Sequence, residues 1–211
     1  MNTIFEFDSP FMHFINRFAS LVVLNFLFLL TSIPIFTIGA SLSALYDVVF
    51  RLDTPREGKV FAAYLLAFRN NFRQSTPAWL LMLVTIAVSC VNMVYFSNMS
   101  GTFGYLLFLI SATVLVNCVL VLGFLFPLIS QFDNTFFNTL KNSLLLCVAN
   151  LPRALLIAVI NCFPWLLMLL NLYTFIQIGF IWFSLYFSVA AYFNSRVLMK
   201  VFDPLKERAS N

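Results

Sequence analysis

Charged side chains are scarce in this sequence. They make up 9% of the 211 residues, with eight acidic and twelve basic residues, whereas soluble domains carry about 25%. A soluble chain of this length needs a polar surface that so few charges cannot supply. With a hydrophobic fraction of 62% and a mean hydropathy of +0.95, the composition excludes an ordinary soluble domain. It predicts an all-α, polytopic membrane bundle.

Residues that carry acid–base chemistry are also scarce. The only histidine is His13, in the short N-terminal segment, where a lone histidine is typical of an interfacial side chain. The sequence has no HExxH, GxSxG, Walker A or paired acidic motif. The predicted spans have no charged residue deep inside, although proton-coupled carriers usually place such groups there. We therefore predict no enzyme activity, no cofactor and no metal site.

The four cysteines and the net charge exclude two further classes. Cys90, Cys118, Cys147 and Cys162 have no CxxC spacing and lie in or beside apolar runs, so they are expected to behave as small hydrophobic residues. The net charge of +4 comes without a basic nucleic-acid motif. In a membrane protein, an excess of basic residues first indicates which loops face the cytoplasm and contact anionic lipid headgroups. No nucleic-acid partner is predicted.

Five apolar segments are long enough to cross a bilayer, which takes roughly 20 residues of helix. They are 14 to 36, 78 to 97, 103 to 128, 154 to 172 and 174 to 193. Eleven of the twelve basic residues then fall on one side, and Arg17 alone falls on the other. The positive-inside rule predicts an external N-terminus and a cytoplasmic C-terminus at the cell membrane. Residues 35 to 50 follow Pro34 and are too short to cross alone, which leaves open a re-entrant element or a kinked first span.

The loops between the spans predict amphipathic helices on the inner leaflet. Apolar residues recur at helical spacing in both loops. They are Phe61, Leu65, Phe68 and Phe72 in the first loop, and Phe132, Phe136, Leu140 and Leu144 in the second. Pro77 and Pro152 then mark the starts of the next spans, because proline is favoured in a first helical turn. Residues 67–72 also match 139–144 at an offset of 72, which leaves open a true duplication or two unrelated amphipathic helices.

These features predict one membrane domain over residues 1–211. Its parts are a first span with the ambiguous segment (1–57), an interfacial helix with a hairpin (58–130), a second such unit (131–196) and a cytoplasmic tail (197–211).

Neutral amides are the main polar groups of the spans. Such amides typically form hydrogen bonds between helices. An amide also offers a donor and an acceptor to an uncharged ligand. For that second role the candidate ligand-binding residues are Asn92, Asn117 and Asn161. A separate set of basic residues in the loops is expected to contact the inner leaflet or a partner: Lys59, Arg69, Arg73, Lys141 and Arg153.

Several stretches resemble a known family. They are Asn16-Arg17, Asn25, SIPIFTIGA at 32 to 40, Ala44-Leu45-Tyr46 and AFRNNFRQST at 67 to 76. Together they resemble the YesL-like family of bacterial membrane proteins of unknown function. The resemblance implies a small multi-span protein, often encoded near carbohydrate-uptake transporters. It carries over no catalytic residue.

Two function classes follow from these observations. The first is a transporter-associated helper or permease-like subunit linked to carbohydrate uptake, whose partner is a transporter subunit. The second is a stand-alone carrier or channel for a small neutral solute. The lipid bilayer is a partner in both classes, and the sequence leaves a homo-oligomer open.

Overall fold

The computed structural model describes residues 10–52, 60–177, 179 and 182–210, and these residues are helical with short connections and no strand. The helices are α1 (Pro10–Thr31), α2 (Ile38–Arg51), α3 (Val60–Ser97), α4 (Thr102–Gln131), α5 (Phe136–Ala149), α6 (Leu151–Leu170), α7 (Leu172–Gln177) and α8 (Phe187–Ser210). A 3₁₀ turn at Ile35–Thr37 precedes α2, and a π-helical turn at Trp182–Tyr186 precedes α8. The predicted all-α polytopic bundle is confirmed.

Four of the five predicted spans coincide with a helix. Within the described residues, four helices are long and apolar enough to cross a membrane: Phe14–Thr31, Val60–Ser97, Thr102–Gln131 and Leu151–Leu169. The fifth predicted segment, 174 to 193, is described only in pieces, because residues 178, 180 and 181 lie outside the described part. A single crossing helix there stays a prediction.

The chain reverses direction between α1 and α2. Residues further along α1 contact residues nearer the start of α8: Arg17 bonds to Tyr192, and Asn25 bonds to Ser188. Residues further along α2 contact residues further along α8: Tyr46 contacts Asn194, and Phe50 contacts Phe202. Helix α1 is therefore antiparallel to α8 and α2 is parallel to it. The segment that the sequence left ambiguous is thus a separate helix that returns toward the end of the bundle where α1 begins.

Helix α2 is buried by virtue of its small residues. Ten of its fourteen residues are buried, among them Gly39, Ala40, Ser43 and Ala44. A Cβ added at Gly39 would lie 2.6 Å from the carbonyl oxygen of Ser75 on α3, and the hydroxyls of Ser43 and Ser75 are 2.7 Å apart. Small residues let helix backbones approach closely where lipid provides no hydrophobic drive between helices.

Helix α3 differs from the prediction for the first loop. The predicted interfacial helix and the second span form one continuous helix of 38 residues, with Pro77 inside it. Pro77 is therefore not a helix start, which corrects the prediction, whereas Pro152 does lie in the first turn of α6. At about 1.5 Å per residue, α3 is about 57 Å long, roughly twice the hydrocarbon core. Phe61 and Phe72 are exposed, and the face that packs inward carries Tyr64 and Ala67.

The second predicted loop helix is α5, which ends before α6 begins. Its buried face consists of Thr139, Ser143 and Cys147 at a spacing of four residues. Phe136 packs partly against the core, whereas Leu144 is exposed. The first loop helix thus packs through Tyr64 and Ala67, and the second packs through the small residues of α5.

The described part of the predicted cytoplasmic tail is helical and packs through one face. Helix α8 continues to Ser210, and Leu198, Val201 and Phe202 are buried. The Phe202 ring lies 6.0 Å from that of Phe50 and 5.5 Å from that of Phe132. The C-terminal ends of α2 and α4 therefore meet on α8.

Candidate functional site

The three predicted ligand amides lie on three different helices. Asn117 is exposed on α4 and donates to the Thr113 carbonyl of its own helix at 2.9 Å. Asn92 is half-buried on α3. Asn161, in the middle of α6, accepts from Asn194 of α8 at 2.8 Å. No hydrogen bond joins any two of these three described residues, and their role in ligand binding stays a prediction.

Asn161 instead belongs to a cluster that connects α2, α6 and α8. The Asn194 side-chain nitrogen donates both to Asn161 Oδ1, at 2.8 Å, and to the Tyr46 hydroxyl, at 3.2 Å. Asn194 is fully buried and Tyr46 nearly so, whereas Asn161 is exposed. We call Tyr46, Asn161 and Asn194 the amide cluster. It extends from the interior of the bundle to its surface, halfway along α6.

One polar atom of the amide cluster has no partner among the described residues. The Asn194 carbonyl oxygen, Oδ1, is buried and accepts no hydrogen bond. Asn161 and Tyr46 contact the same atom of the Asn194 amide. If the oxygen and nitrogen of that amide are exchanged, the atom without a partner is therefore the nitrogen, a donor, instead of the oxygen, an acceptor. A buried polar group without a partner costs about 1–3 kcal/mol, so this oxygen has the capacity to accept a further hydrogen bond.

The backbone beside the amide cluster is irregular on two helices. Pro164 has no N–H to donate to the carbonyl of Ile160, its partner in a regular helix. The hydroxyl of Tyr186 donates to that carbonyl instead. Tyr186 ends the π-helical turn, and such turns are frequent at functional sites. The adjacent N–H of Ser188 donates to the side chain of Asn25, which is fully buried on α1.

The sequence-based choice of amides missed Asn194, Tyr46 and Tyr186. Asn194 is one of the span amides, directly after the segment 174 to 193, and nothing in its local sequence distinguishes it from the others. Proline at 164 was the one available signal, since it predicts a freed carbonyl at Ile160. Which side chain reaches that carbonyl depends on the packing of α6 against the π-helical turn.

A second candidate site is a groove between α3 and α5, which we call the α3–α5 groove. It has a volume of about 430 Å³ and is lined by Asn70, Arg73, Gln74, Pro77 and Phe136. The Gln74 side-chain nitrogen donates to the Thr139 hydroxyl at 2.9 Å and to the Asn134 carbonyl at 3.0 Å. These bonds join the two walls of the groove.

Arg73 lines the α3–α5 groove, and further basic side chains lie on the same two helices. Arg69 and Arg73 are exposed one turn apart on α3, and Lys141 is exposed on α5. Arg153 has a local role, because it donates to the Asn150 side chain at 2.7 Å. Lys59 lies outside the described residues. Three of the five predicted contact residues are thus free to face a headgroup or a partner.

The described residues contain no group of three or more histidine, cysteine, aspartate or glutamate side chains that could hold a metal ion. The amide cluster and the α3–α5 groove offer hydrogen bonds and positive charge, which suit binding.

The apolar crossing helices and the bundle define a polytopic, integral membrane protein. Residues 21–93 match the model of a family described as "Protein of unknown function, DUF624". This region includes the 32–40 and 67–76 stretches, as well as α2. No curated protein and no solved structure matches the chain.

Proposed function

We propose that this protein is a YesL-like, transporter-associated membrane subunit that acts by binding a partner and not by catalysis. The partner is a subunit of a carbohydrate importer, as the family resemblance implies. The observation that carries the proposal is the α3–α5 groove, with exposed arginines at its edge. Such a surface favours a protein segment with carboxylate side chains.

The groove provides several kinds of hydrogen-bonding groups. Arg73 brings a guanidinium whose planar fork matches a carboxylate, and Asn70 is an exposed amide. Pro77 provides no N–H to the carbonyl of Arg73, so this backbone group is available to a donor on the partner. A charged and polar edge around the apolar Phe136 is typical of a protein–protein contact.

The stand-alone carrier has less support. A carrier needs polar groups that converge on a solute path, and the span amides mostly bond to protein groups. Asn25 accepts a hydrogen bond from the N–H of Ser188. Asn117 donates to a carbonyl of its own helix, and Asn161 accepts from Asn194. These bonds favour amides that join helices.

For the sidedness, we propose that the N- and C-terminal ends of the bundle both face the cytoplasm. This differs from the expectation of an external N-terminus. It is supported by the antiparallel packing of α1 on α8 and by the bond of 3.2 Å from Arg17 to Tyr192. Arg17 then joins the other eleven basic residues on one side, which satisfies the positive-inside rule more fully.

Co-purification from the native membrane tests the docking proposal. The wild-type chain and the double variant Arg69→Glu/Arg73→Glu are isolated with their bound proteins, which are identified by mass spectrometry. We expect an importer subunit with the wild type and its loss with the variant, because two attractive charges become repulsive.

Lys200→Glu is the matched control, since Lys200 is exposed on α8 and does not line the groove. It should retain the importer subunit. Equal loss with Lys200→Glu indicates a general attraction to anionic lipid and contradicts docking at the groove. The absence of any transporter subunit in the wild-type sample contradicts the proposed function itself.

A further inference from the structure

We propose that the amide cluster is a binding site for a neutral, hydroxyl-bearing molecule, with Asn194 at its centre. The proposal does not rest on the docking function, because the cluster and the α3–α5 groove share no residue. It rests on the one atom of Asn194 that the fold leaves without a partner.

The cluster requires a ligand that both donates and accepts. Asn194 Oδ1 needs a donor, and the amide nitrogen of Asn194 is already committed to Asn161 and Tyr46. The Tyr46 oxygen accepts from Asn194, so its own O–H proton is directed elsewhere. A hydroxyl meets both needs, since it donates its proton to Asn194 Oδ1 and accepts the proton of Tyr46. A hydroxyl also meets the exchanged orientation of the Asn194 amide, in which it accepts from the free N–H, whereas a carbonyl or an ether suits only that orientation.

The cluster selects against charge. Two amides and a phenol carry no formal charge, and a charged ligand in the middle of a membrane bundle would need an opposite charge beside it. The cluster residues therefore suit an uncharged polyol or sugar hydroxyl.

Asn161 connects the amide cluster to the surface of the bundle. Asn161 is exposed, whereas its partner Asn194 is fully buried. A molecule that reaches Asn161 is therefore within one side chain of the unpartnered atom. The irregular backbone at Pro164 and at the π-helical turn lies next to Asn161, because Tyr186 of that turn donates to the carbonyl of Ile160. In membrane proteins, such irregular backbone is tolerated where it is buried in protein or lines a cavity.

Calorimetric titration of the protein in phosphatidylcholine nanodiscs tests the site. Nanodiscs are used because sugar-headed detergents would themselves supply hydroxyls. The probes are glycerol, xylitol and glucose. We expect at least one of them to bind the wild type at a single site, and Tyr46→Phe to weaken that binding about two- to tenfold, the effect of one lost hydrogen bond.

Tyr46→Phe keeps the aromatic ring, so it should fold even if Asn194→Leu does not. Asn117→Leu is the matched control, because Asn117 bonds only to its own helix, and it should leave binding unchanged. If no probe binds the wild type, water is the partner of the buried amide and the proposal fails. Binding that is equal in the wild type and Tyr46→Phe also overturns it.

A second arm identifies the source of the hydroxyl. The titration is repeated in nanodiscs that contain phosphatidylglycerol, whose headgroup carries free hydroxyls. Competition with the probe identifies a lipid headgroup as the ligand, and undiminished binding identifies a free solute. Both outcomes support a hydroxyl site at Asn194.

Discussion

The hydroxyl of Tyr186 donates to the carbonyl of Ile160, the group that Pro164 leaves without its helical donor. This relationship links a proline on α6 to the π-helical turn before α8. It means that a break in one helix is compensated by a side chain from another, so the two irregularities depend on each other.

This dependence predicts a coupling between Tyr186 and Pro164. Tyr186→Phe should lower the free energy of unfolding by about 1–3 kcal/mol, because the Ile160 carbonyl loses its donor. In a Pro164→Ala background the loss should be smaller, since the alanine N–H can bond to that carbonyl. Unfolding midpoints of the two single variants and the double variant measure the coupling. Tyr173→Phe, at an exposed tyrosine, is the control, and strictly additive effects would contradict the mechanism.

The close approach of α2 to α3 predicts that Gly39→Ala destabilises the bundle. The new Cβ would lie 2.5 Å from the Cβ of Trp79 and 2.6 Å from the Ser75 carbonyl oxygen. Overpacking of this kind costs about 1–3 kcal/mol, which lowers the melting midpoint by roughly 2–12 °C for a chain of this size. Gly179→Ala is the matched control, because nothing lies within 4 Å of its added Cβ. Equal midpoints for the two variants would show that α2 and α3 do not pack this closely.

The bond between Tyr64 and Thr31 predicts a specific contribution to stability. The two hydroxyl oxygens are 2.6 Å apart, and Tyr64 is fully buried on α3. Tyr64→Phe keeps the ring and should lower the free energy of unfolding by about 0.5–1.5 kcal/mol. Tyr95→Phe removes a hydroxyl from an exposed ring of the same helix and should change nothing. Denaturant titrations of both variants provide the comparison, and an unchanged midpoint for Tyr64→Phe would rule out this contribution.

The proposed sidedness predicts a labelling pattern in intact cells. In a background without the four native cysteines, Ser100→Cys should react with an impermeant thiol reagent, while Phe11→Cys and Asn138→Cys should not. All three positions are exposed, unlike Ser143, where burial alone would prevent a reaction. Labelling at Phe11→Cys would restore the external N-terminus that five crossings predict. Permeabilised cells, in which all three positions should react, are the control.

The class of protein and most of its spans followed from the sequence, because both depend on local quantities. A bilayer-length run of apolar residues forms a helix whatever its neighbours are, since lipid leaves its backbone no other partner. The positions of α1, α4 and α6 were therefore predictable. The continuity of α3 was not, because a proline inside a helix is tolerated only when the surrounding structure satisfies the freed groups.

Tertiary structure alone decided which polar groups meet. Tyr46 and Asn194 are 148 residues apart in the chain, and no pattern within either segment points to the other. Asn117 and Asn161 are both span amides, yet one bonds to its own helix and the other to α8. The rotation of each helix about its axis makes that choice, and side-chain packing against neighbouring helices sets this rotation. For the same reason, the direction of α2 and the burial of α8 became apparent only in the assembled bundle.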